Sequence, residues 1–255
     1  MGVLEVWRKT KKKNDHPFNT YIARPPAAAM VVLLKNTPIS PNQVTFLSVV
    51  LALGGAALWI AMPGYLGGLL GALALFASFV VDCADGQLAR IRGTMSGIGH
   101  HLDFLMDEIK AFFVYGALTV RIWHEWGDVR LLLVGLGGLC CLASGISLTS
   151  FMRRPEYTGE TAKGADGVVV ATRAKRTSLI GRAIGVVEWA GRQVVHYPQY
   201  VVIVAAANRL DLFFWAYAGV NALYFARSSL VILVKLGRFE RKPKPEPAPE
   251  KGAAS

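Results

Sequence analysis

The chain has 255 residues, of which 53% are hydrophobic and only 18% are charged, and its mean hydropathy is +0.38. This composition is too apolar for an ordinary soluble domain of that length, so we expect a bilayer to be its solvent. The net charge of +11 does not indicate nucleic-acid binding, because the basic residues cluster between apolar runs without a recognisable nucleic-acid-binding module. Membrane lipids with anionic headgroups are the partner that we predict for these basic residues.

The N-terminal part of the chain is polar and then mixed in character. Residues 1–17 form a basic arm without the features of a cleaved signal peptide, so we expect nothing to be removed from it. Residues 18–34 combine tyrosine and arginine with alanine and valine, which predicts an interfacial helix. A short connector follows and leads into the first apolar run.

Five apolar runs approach the roughly 20 residues that a helix needs to cross the hydrocarbon core, and a sixth span is obtained by extending the short apolar stretch 200–207 back to residue 184. We therefore predict an all-α, polytopic membrane protein with about six transmembrane helices, preceded by the N-terminal interfacial helix. The predicted spans cover residues 44–62, 66–82, 98–123, 131–152, 184–207 and 212–236. Residues 18–236 then form one membrane domain, a basic loop joins the fourth and fifth spans, and residues 237–255 form a disordered tail rich in proline and charge.

Positive charge predicts the orientation in the membrane. With six spans, the basic arm, the loop after residue 152, the basic end of the second span and the tail all fall on one side. Because basic residues concentrate on the cytoplasmic side of membranes, both termini and this end of the second span are predicted to face the cytoplasm.

Four aspartates lie at the ends of the second and third predicted spans, where charged groups indicate a functional site. Asp82 and Asp85 are three residues apart and Asp103 and Asp107 are four apart, so each pair projects from one helix face. Four neighbouring carboxylates need a cation, and an all-oxygen ligand set suits Mg²⁺ or Mn²⁺ better than zinc. The pattern predicts a site for one divalent ion or a pair of them.

Residues around the aspartates fit a phosphorylated ligand. Gly86, Ala89 and Gly99 leave backbone open beside the carboxylates. Arg90 and Arg92 provide guanidinium groups that can hold phosphate oxygens. The alternative is an ion-pair network in which the aspartates only neutralise these arginines. The remaining candidates are assigned structural rather than catalytic roles: His100, His101, Lys110 and His196.

A resemblance to a known family rests on the string Asp82-Cys83-Ala84-Asp85-Gly86-Gln87-Leu88-Ala89-Arg90, followed at fixed spacing by Gly99, Asp103 and Asp107. This string resembles the signature of the CDP-alcohol phosphotransferases, also called CDP-alcohol phosphatidyltransferases. The resemblance implies that Asp82, Asp85 and Asp103 bind metal and that Asp107 is the base and also touches a second ion. It further implies two Mg²⁺ or Mn²⁺ ions, a nucleotide seated beside Gly86, Ala89 and Gly99, donor phosphates held by Arg90, and a homodimer.

The function implied is transfer of a phosphatidyl group from a CDP-linked lipid donor, CDP-diacylglycerol, to a small polar alcohol such as inositol phosphate or glycerol phosphate, with release of CMP. Arg153 and Arg154 resemble the basic pair with which some members hold a phosphorylated acceptor, although a positive-inside anchor explains them equally well. The alternatives are a CDP-choline or CDP-ethanolamine phosphotransferase acting on diacylglycerol, a cation-coupled transporter and a non-catalytic membrane scaffold.

Overall fold

The chain is helical throughout the part that the computed structural model describes, which comprises residues 1–11, 15–152, 191 and 193–239. Short turns join the long helices, so neighbouring helices run antiparallel. In chain order the elements are α1 (Val3–Thr10), a π-helical turn (Asn19–Ala23), α2 (Arg24–Leu34), α3 (Pro41–Ala61), α4 (Gly64–Arg92), α5 (Gly97–Trp126), α6 (Val129–Met152), a 3₁₀ turn (Tyr197–Gln199), α7 (Val201–Ala206) and α8 (Leu210–Phe239).

Four of the described helices are long and apolar enough to cross a bilayer, which confirms the prediction of an all-α polytopic membrane protein. They are α3, α4, α6 and the stretch Leu210–Val234 of α8. The predicted third span falls on α5, which has 30 residues but carries charged side chains along its length and is not among the four. The predicted fifth span begins outside the described residues, and its described end contains only short helical pieces such as α7.

Glycines allow α3 and α4 to pack at close range. Gly71 lies against the indole ring of Trp59, and a Cβ atom at Gly71 would be 2.3 Å from Trp59 Cδ1. The same ring donates a hydrogen bond of 3.0 Å from Nε1 to the carbonyl oxygen of Gly68. Trp59 is fully buried. Its contacts with Gly68 and Gly71 therefore place the glycine face of α4 against α3.

The N-terminal elements pack onto the same pair of helices. Val6 of α1 and Ala28 and Val31 of α2 are fully buried in a cluster that also includes Val44 of α3 and Leu88 of α4. Part of the predicted basic arm is therefore helix α1. Its Trp7 packs against the same cluster, and the indole Nε1 donates a hydrogen bond of 2.8 Å to the backbone oxygen of Thr20 in the π-helical turn.

A buried arginine fixes the turn between α3 and α4 at the opposite end of the bundle from the aspartates. Arg121 of α5 is 2% exposed, and its guanidinium donates hydrogen bonds of 3.1 Å to the carbonyl oxygen of Met62 and 2.5 Å to that of Gly64. Glu125, one turn further along α5, forms an ion pair with the same guanidinium. These contacts join α5 to the α3–α4 turn.

Candidate metal centre

The four aspartates lie at the end of the bundle where α4 finishes and α5 begins. Gly93 caps α4 in the left-handed conformation (φ 66°), which glycine adopts without the steric cost that a side chain would add. Ser96 then caps α5 by accepting a hydrogen bond of 3.0 Å from the amide of Gly99. This short connection brings the last turns of α4 beside the first turns of α5.

Three of the predicted metal ligands converge. Asp82, Asp85 and Asp103 each offer a carboxylate oxygen, and these oxygens all lie within 4.8 Å of one another. Asp85 is buried, whereas Asp82 and Asp103 are half-buried. Convergent carboxylates without basic nitrogen or sulfur ligands form the donor set that Mg²⁺ and Mn²⁺ prefer, so the residues present fit a divalent cation.

Hydroxyl groups of α3 hold two of these carboxylates. Thr45 donates a hydrogen bond to Oδ2 of Asp85, and Ser48 donates one of 3.0 Å to Oδ1 of Asp82. Ser78 of α4 in turn donates a hydrogen bond of 2.7 Å to the backbone oxygen of Ser48. Because Ser48 is fully buried and Thr45 nearly so, these bonds fix the orientation of the carboxylates, as the outer partners of metal ligands do.

Asp107 lies beside the three converging aspartates and is bound to a lysine. Its side chain is 57% exposed, and its Oδ1 lies 2.7 Å from Nζ of Lys110. The same ammonium lies 2.5 Å from Oδ1 of Asp82. Lys110 thus connects the fourth aspartate to the group formed by the other three.

Three of the residues predicted to contact the nucleotide, Gly86, Ala89 and Arg90, lie on α4, and the fourth, Gly99, lies in the first turn of α5. A Cβ atom at Gly86 would meet only the guanidinium of Arg90, at 3.6 Å, and Ala89 and Arg90 are half-buried. Nε of Arg90 is buried and has no hydrogen-bond partner among the described residues. Gly99 faces its own helix cap, because a Cβ atom there would lie 3.1 Å from Ser96 Oγ.

Arg92 does not take the phosphate-facing position that its sequence neighbourhood suggests. Its guanidinium donates hydrogen bonds of 2.5 to 3.3 Å to carbonyl oxygens at the end of α2 and in the connector that follows, those of Leu34, Lys35, Thr37 and Ile39. Arg92 therefore anchors the connector between α2 and α3. Arg153 and Arg154 lie outside the described residues.

Three histidines were assigned structural roles from the sequence, His100, His101 and His196, and that assignment stays a prediction. His100 and His101 are exposed on the first turns of α5. His196 is 3.1 Å from Oδ1 of Asn19, measured from Nε2, and so joins the chain before α7 to the N-terminal elements.

The sequence analysis missed two polar residues of the site, Thr45 and Ser48, and it named Lys110 without identifying Asp82 as its second partner. A signal for each is present in the sequence. Thr45 and Ser48 are three residues apart in an otherwise apolar run, and Lys110 follows Asp107 by three residues, which places it on the same helix face. Their partners follow only from the way α3, α4 and α5 pack.

Comparison with known proteins identifies the family. Residues 38–207, which include all four aspartates, match the sequence model of the CDP-alcohol phosphatidyltransferases. The chain belongs to this family. As a CDP-alcohol phosphatidyltransferase it is a membrane-bound transferase of substituted phosphate groups, which confirms the family and the enzyme class predicted from the aspartate motif.

Two relatives within the family are similar to the chain. A phosphatidylinositol phosphate synthase from Corynebacterium glutamicum is 32% identical over 156 residues, which make up 61% of this chain and 67% of the relative. A bifunctional IPC transferase and DIPP synthase from Rubrobacter xylanophilus is 31% identical over 169 residues, or 66% of this chain. The second match spans only 31% of that longer protein.

Proposed function

We propose that this transferase moves the phosphatidyl group of CDP-diacylglycerol to a hydroxyl of inositol phosphate and releases CMP. The convergence of Asp82, Asp85 and Asp103 near Asp107, whose side chain is exposed, supports a metal-dependent transfer of a phosphatidyl group. The similarity to the phosphatidylinositol phosphate synthase, over 67% of that relative, supports this acceptor above glycerol phosphate.

The three converging carboxylates hold the divalent metal in this proposal. When bound, Mg²⁺ or Mn²⁺ neutralises the donor diphosphate and stabilises the charge of the departing CMP. Thr45 and Ser48 keep the carboxylates turned toward the ion. Arg90, whose buried Nε has no partner among the described residues, donates hydrogen bonds to the donor phosphates.

Asp107 acts as the general base. The acceptor oxygen attacks the β-phosphorus of the donor, and the bond between that phosphorus and the bridging oxygen breaks. CMP leaves with the electron pair, and Asp107 takes the hydroxyl proton. Its exposure suits this task because the acceptor is water-soluble. Arg153 and Arg154 bind the acceptor phosphate in this proposal.

The orientation and assembly complete the proposal. The active site and both termini face the cytoplasm, where CDP-linked donors and soluble acceptors meet, and two copies of the chain form a homodimer among membrane lipids. Cysteine-accessibility labelling of a residue near the C-terminus, in intact and permeabilised cells, tests the orientation. Light scattering of the purified detergent complex tests the homodimer.

A CMP-release assay tests the function. Purified protein in liposomes receives CDP-diacylglycerol and Mg²⁺ with inositol phosphate, glycerol phosphate, serine or inositol in separate reactions. We expect CMP release and a new lipid with inositol phosphate. If glycerol phosphate is the only acceptor that gives CMP, the proposed acceptor is wrong and the proposed donor stands. If CMP is released only from CDP-choline or CDP-ethanolamine with diacylglycerol, the whole proposal is overturned.

A further inference from the structure

A cavity of about 520 Å³ lies at the end of the bundle opposite the aspartates. The turn between α3 and α4, the last turn of α5 and the turn between α7 and α8 border it. Two of its lining residues, Gly64 and Leu210, are the first residues of the membrane-spanning stretches of α4 and α8. The cavity therefore lies where these spans leave the hydrocarbon core, at the level of the lipid headgroups. Its volume is in the range of small-molecule sites, about 300–1,000 Å³.

The lining carries two arginines and two carboxylates. Arg121 forms an ion pair with Glu125 on α5, and Arg209 forms one with Asp211, with 2.9 Å between Nε and Oδ1. All four residues line the cavity. Because positive and negative groups are equal in number, the cavity suits a ligand that carries both charges better than a ligand with a net charge.

The two arginines differ in their freedom to bind a ligand. Arg121 is 2% exposed, and its guanidinium is committed to Glu125 and to the carbonyl oxygens of Met62 and Gly64. The side chain of Arg209 is 55% exposed. Its bonds to Asp211 use Nε and Nη2, which leaves Nη1 without a partner among the described residues. Arg209 is therefore the cation that can donate to a phosphate oxygen.

Aromatic rings border the same cavity. Trp126 and Tyr65 both line it and are 59% and 49% exposed. Tryptophan and tyrosine concentrate at the level of lipid headgroups, and the face of an indole ring attracts ammonium groups. The carboxylate of Glu125 precedes Trp126 on α5, whereas Arg209 lies before α8. Groups that suit an ammonium and a group that suits a phosphate thus come from separate elements.

Apolar residues continue from the cavity along the two spans that begin there. Leu66 of α4 and Leu212 of α8 each lie two residues after the start of their helix and are 57% and 51% exposed. Such a surface can contact acyl chains in the bilayer. It favours a lipid over a water-soluble zwitterion as the ligand.

We propose that this cavity binds the headgroup of one zwitterionic phospholipid, with its phosphate on Arg209 and its ammonium at Glu125 and Trp126. The acyl chains then follow the exposed apolar surfaces of α4 and α8 into the bilayer. This lipid site lies at the other end of the bundle from the aspartates, and the inference does not depend on the proposed function.

Native mass spectrometry of delipidated protein in detergent tests the proposal. The protein is titrated with phosphatidylethanolamine or with phosphatidylglycerol of the same acyl chains, which has the phosphate without the ammonium. We expect one phosphatidylethanolamine per chain, bound more tightly than phosphatidylglycerol. Arg209→Gln removes a charge-assisted hydrogen bond and should weaken this binding about 10-fold. Arg130→Gln is the matched control, because Arg130 is exposed at the same end of the bundle but does not line the cavity.

A second variant separates the two halves of the headgroup. Trp126→Leu removes the ring beside the ammonium and should weaken binding of phosphatidylethanolamine but not of phosphatidylglycerol. Melting temperatures without added lipid show that the variants are folded.

Three results would overturn the proposal. They are equal affinity of wild type and folded Arg209→Gln for phosphatidylethanolamine, phosphatidylglycerol bound by the wild type as tightly as phosphatidylethanolamine, and a loss of affinity in Arg130→Gln as large as in Arg209→Gln. Glycerophosphoethanolamine has the same headgroup without acyl chains. If it displaced the lipid at equal concentration, the ligand would be a soluble zwitterion and the lipid site would be wrong.

Discussion

The hydroxyl of Thr45 on α3 donates a hydrogen bond to the carboxylate of Asp85 on α4. This bond connects the first turn of the first span to a candidate metal ligand 40 residues away in the sequence. Because Asp85 is 7% exposed, its orientation depends on this bond rather than on water.

Thr45→Val removes that bond with little change in side-chain shape. Loss of such an outer partner typically weakens metal binding about 10- to 100-fold, so we expect a loss of that size in Mn²⁺ affinity. Thr119→Val is the matched control, because Thr119 is equally buried but bonds only to a backbone oxygen of its own helix. Equal Mn²⁺ affinities in the two variants would contradict the role of Thr45.

The ion pair between Asp15 and Arg24 predicts a pH-dependent stability of the N-terminal elements. Burial tends to raise the pKa of the Asp15 carboxyl, but the charge of Arg24 and hydrogen bonds from Asn19, Arg24 and the His16 amide outweigh burial and lower that pKa below its ordinary value. A lowered folded-state pKa means that this stabilisation is complete above the ordinary carboxyl pKa and is lost as pH falls through the folded value.

Asp15→Asn should therefore lower the melting temperature at neutral pH. The difference from the wild type should begin to shrink below about pH 4, where the carboxyl of the unfolded chain takes up its proton, and it should disappear at the lower pH where the folded-state carboxylate is protonated. Thermal unfolding in detergent at a series of pH values measures this difference. A difference that stays constant down to the lowest pH would show that charge on Asp15 is not the source of the stabilisation.

Arg121 should be important for stability and not for chemistry, because it lies at the opposite end of the bundle from the aspartates. Arg121→Gln leaves Glu125 and two turn carbonyls without their guanidinium, so we expect a loss of about 3 kcal/mol in the free energy of unfolding. Arg209→Gln breaks an exposed ion pair with Asp211 and should change little. Equal melting temperatures of the two variants would contradict the stabilising role of Arg121. CMP release at low temperature should be similar in both.

The sequence predicted the parts of this site that depend on spacing along one helix. Asp82 and Asp85 share a face of α4, and Asp103 and Asp107 share a face of α5, because helical geometry alone decides both. Contacts between helices could not be predicted in this way. Thr45 meets Asp85 because α3 packs against α4, and no pattern within α3 identifies that partner.

Arginine and lysine partners were the least predictable feature, since a long side chain reaches several groups with equal ease. Arg92 has the same sequence neighbourhood as Arg90, yet it holds the backbone of the connector after α2. Lys110 is two residues from Glu108 in the sequence, which suggests a local pair of opposite charges. Its ammonium instead lies between Asp82 and Asp107. Only the packed bundle distinguishes a backbone anchor or an internal counter-ion from a surface charge.

The transfer reaction itself is tested most directly by measuring CMP and lipid product together in wild type and Asp107→Asn. With CDP-diacylglycerol, inositol phosphate and Mg²⁺, we expect equal amounts of CMP and phosphatidylinositol phosphate from the wild type. Loss of the general base should slow both by about 10²- to 10⁴-fold, while Mn²⁺ still binds and the protein stays folded. Wild-type rates in Asp107→Asn, or CMP formed without the lipid, would contradict the proposed reaction.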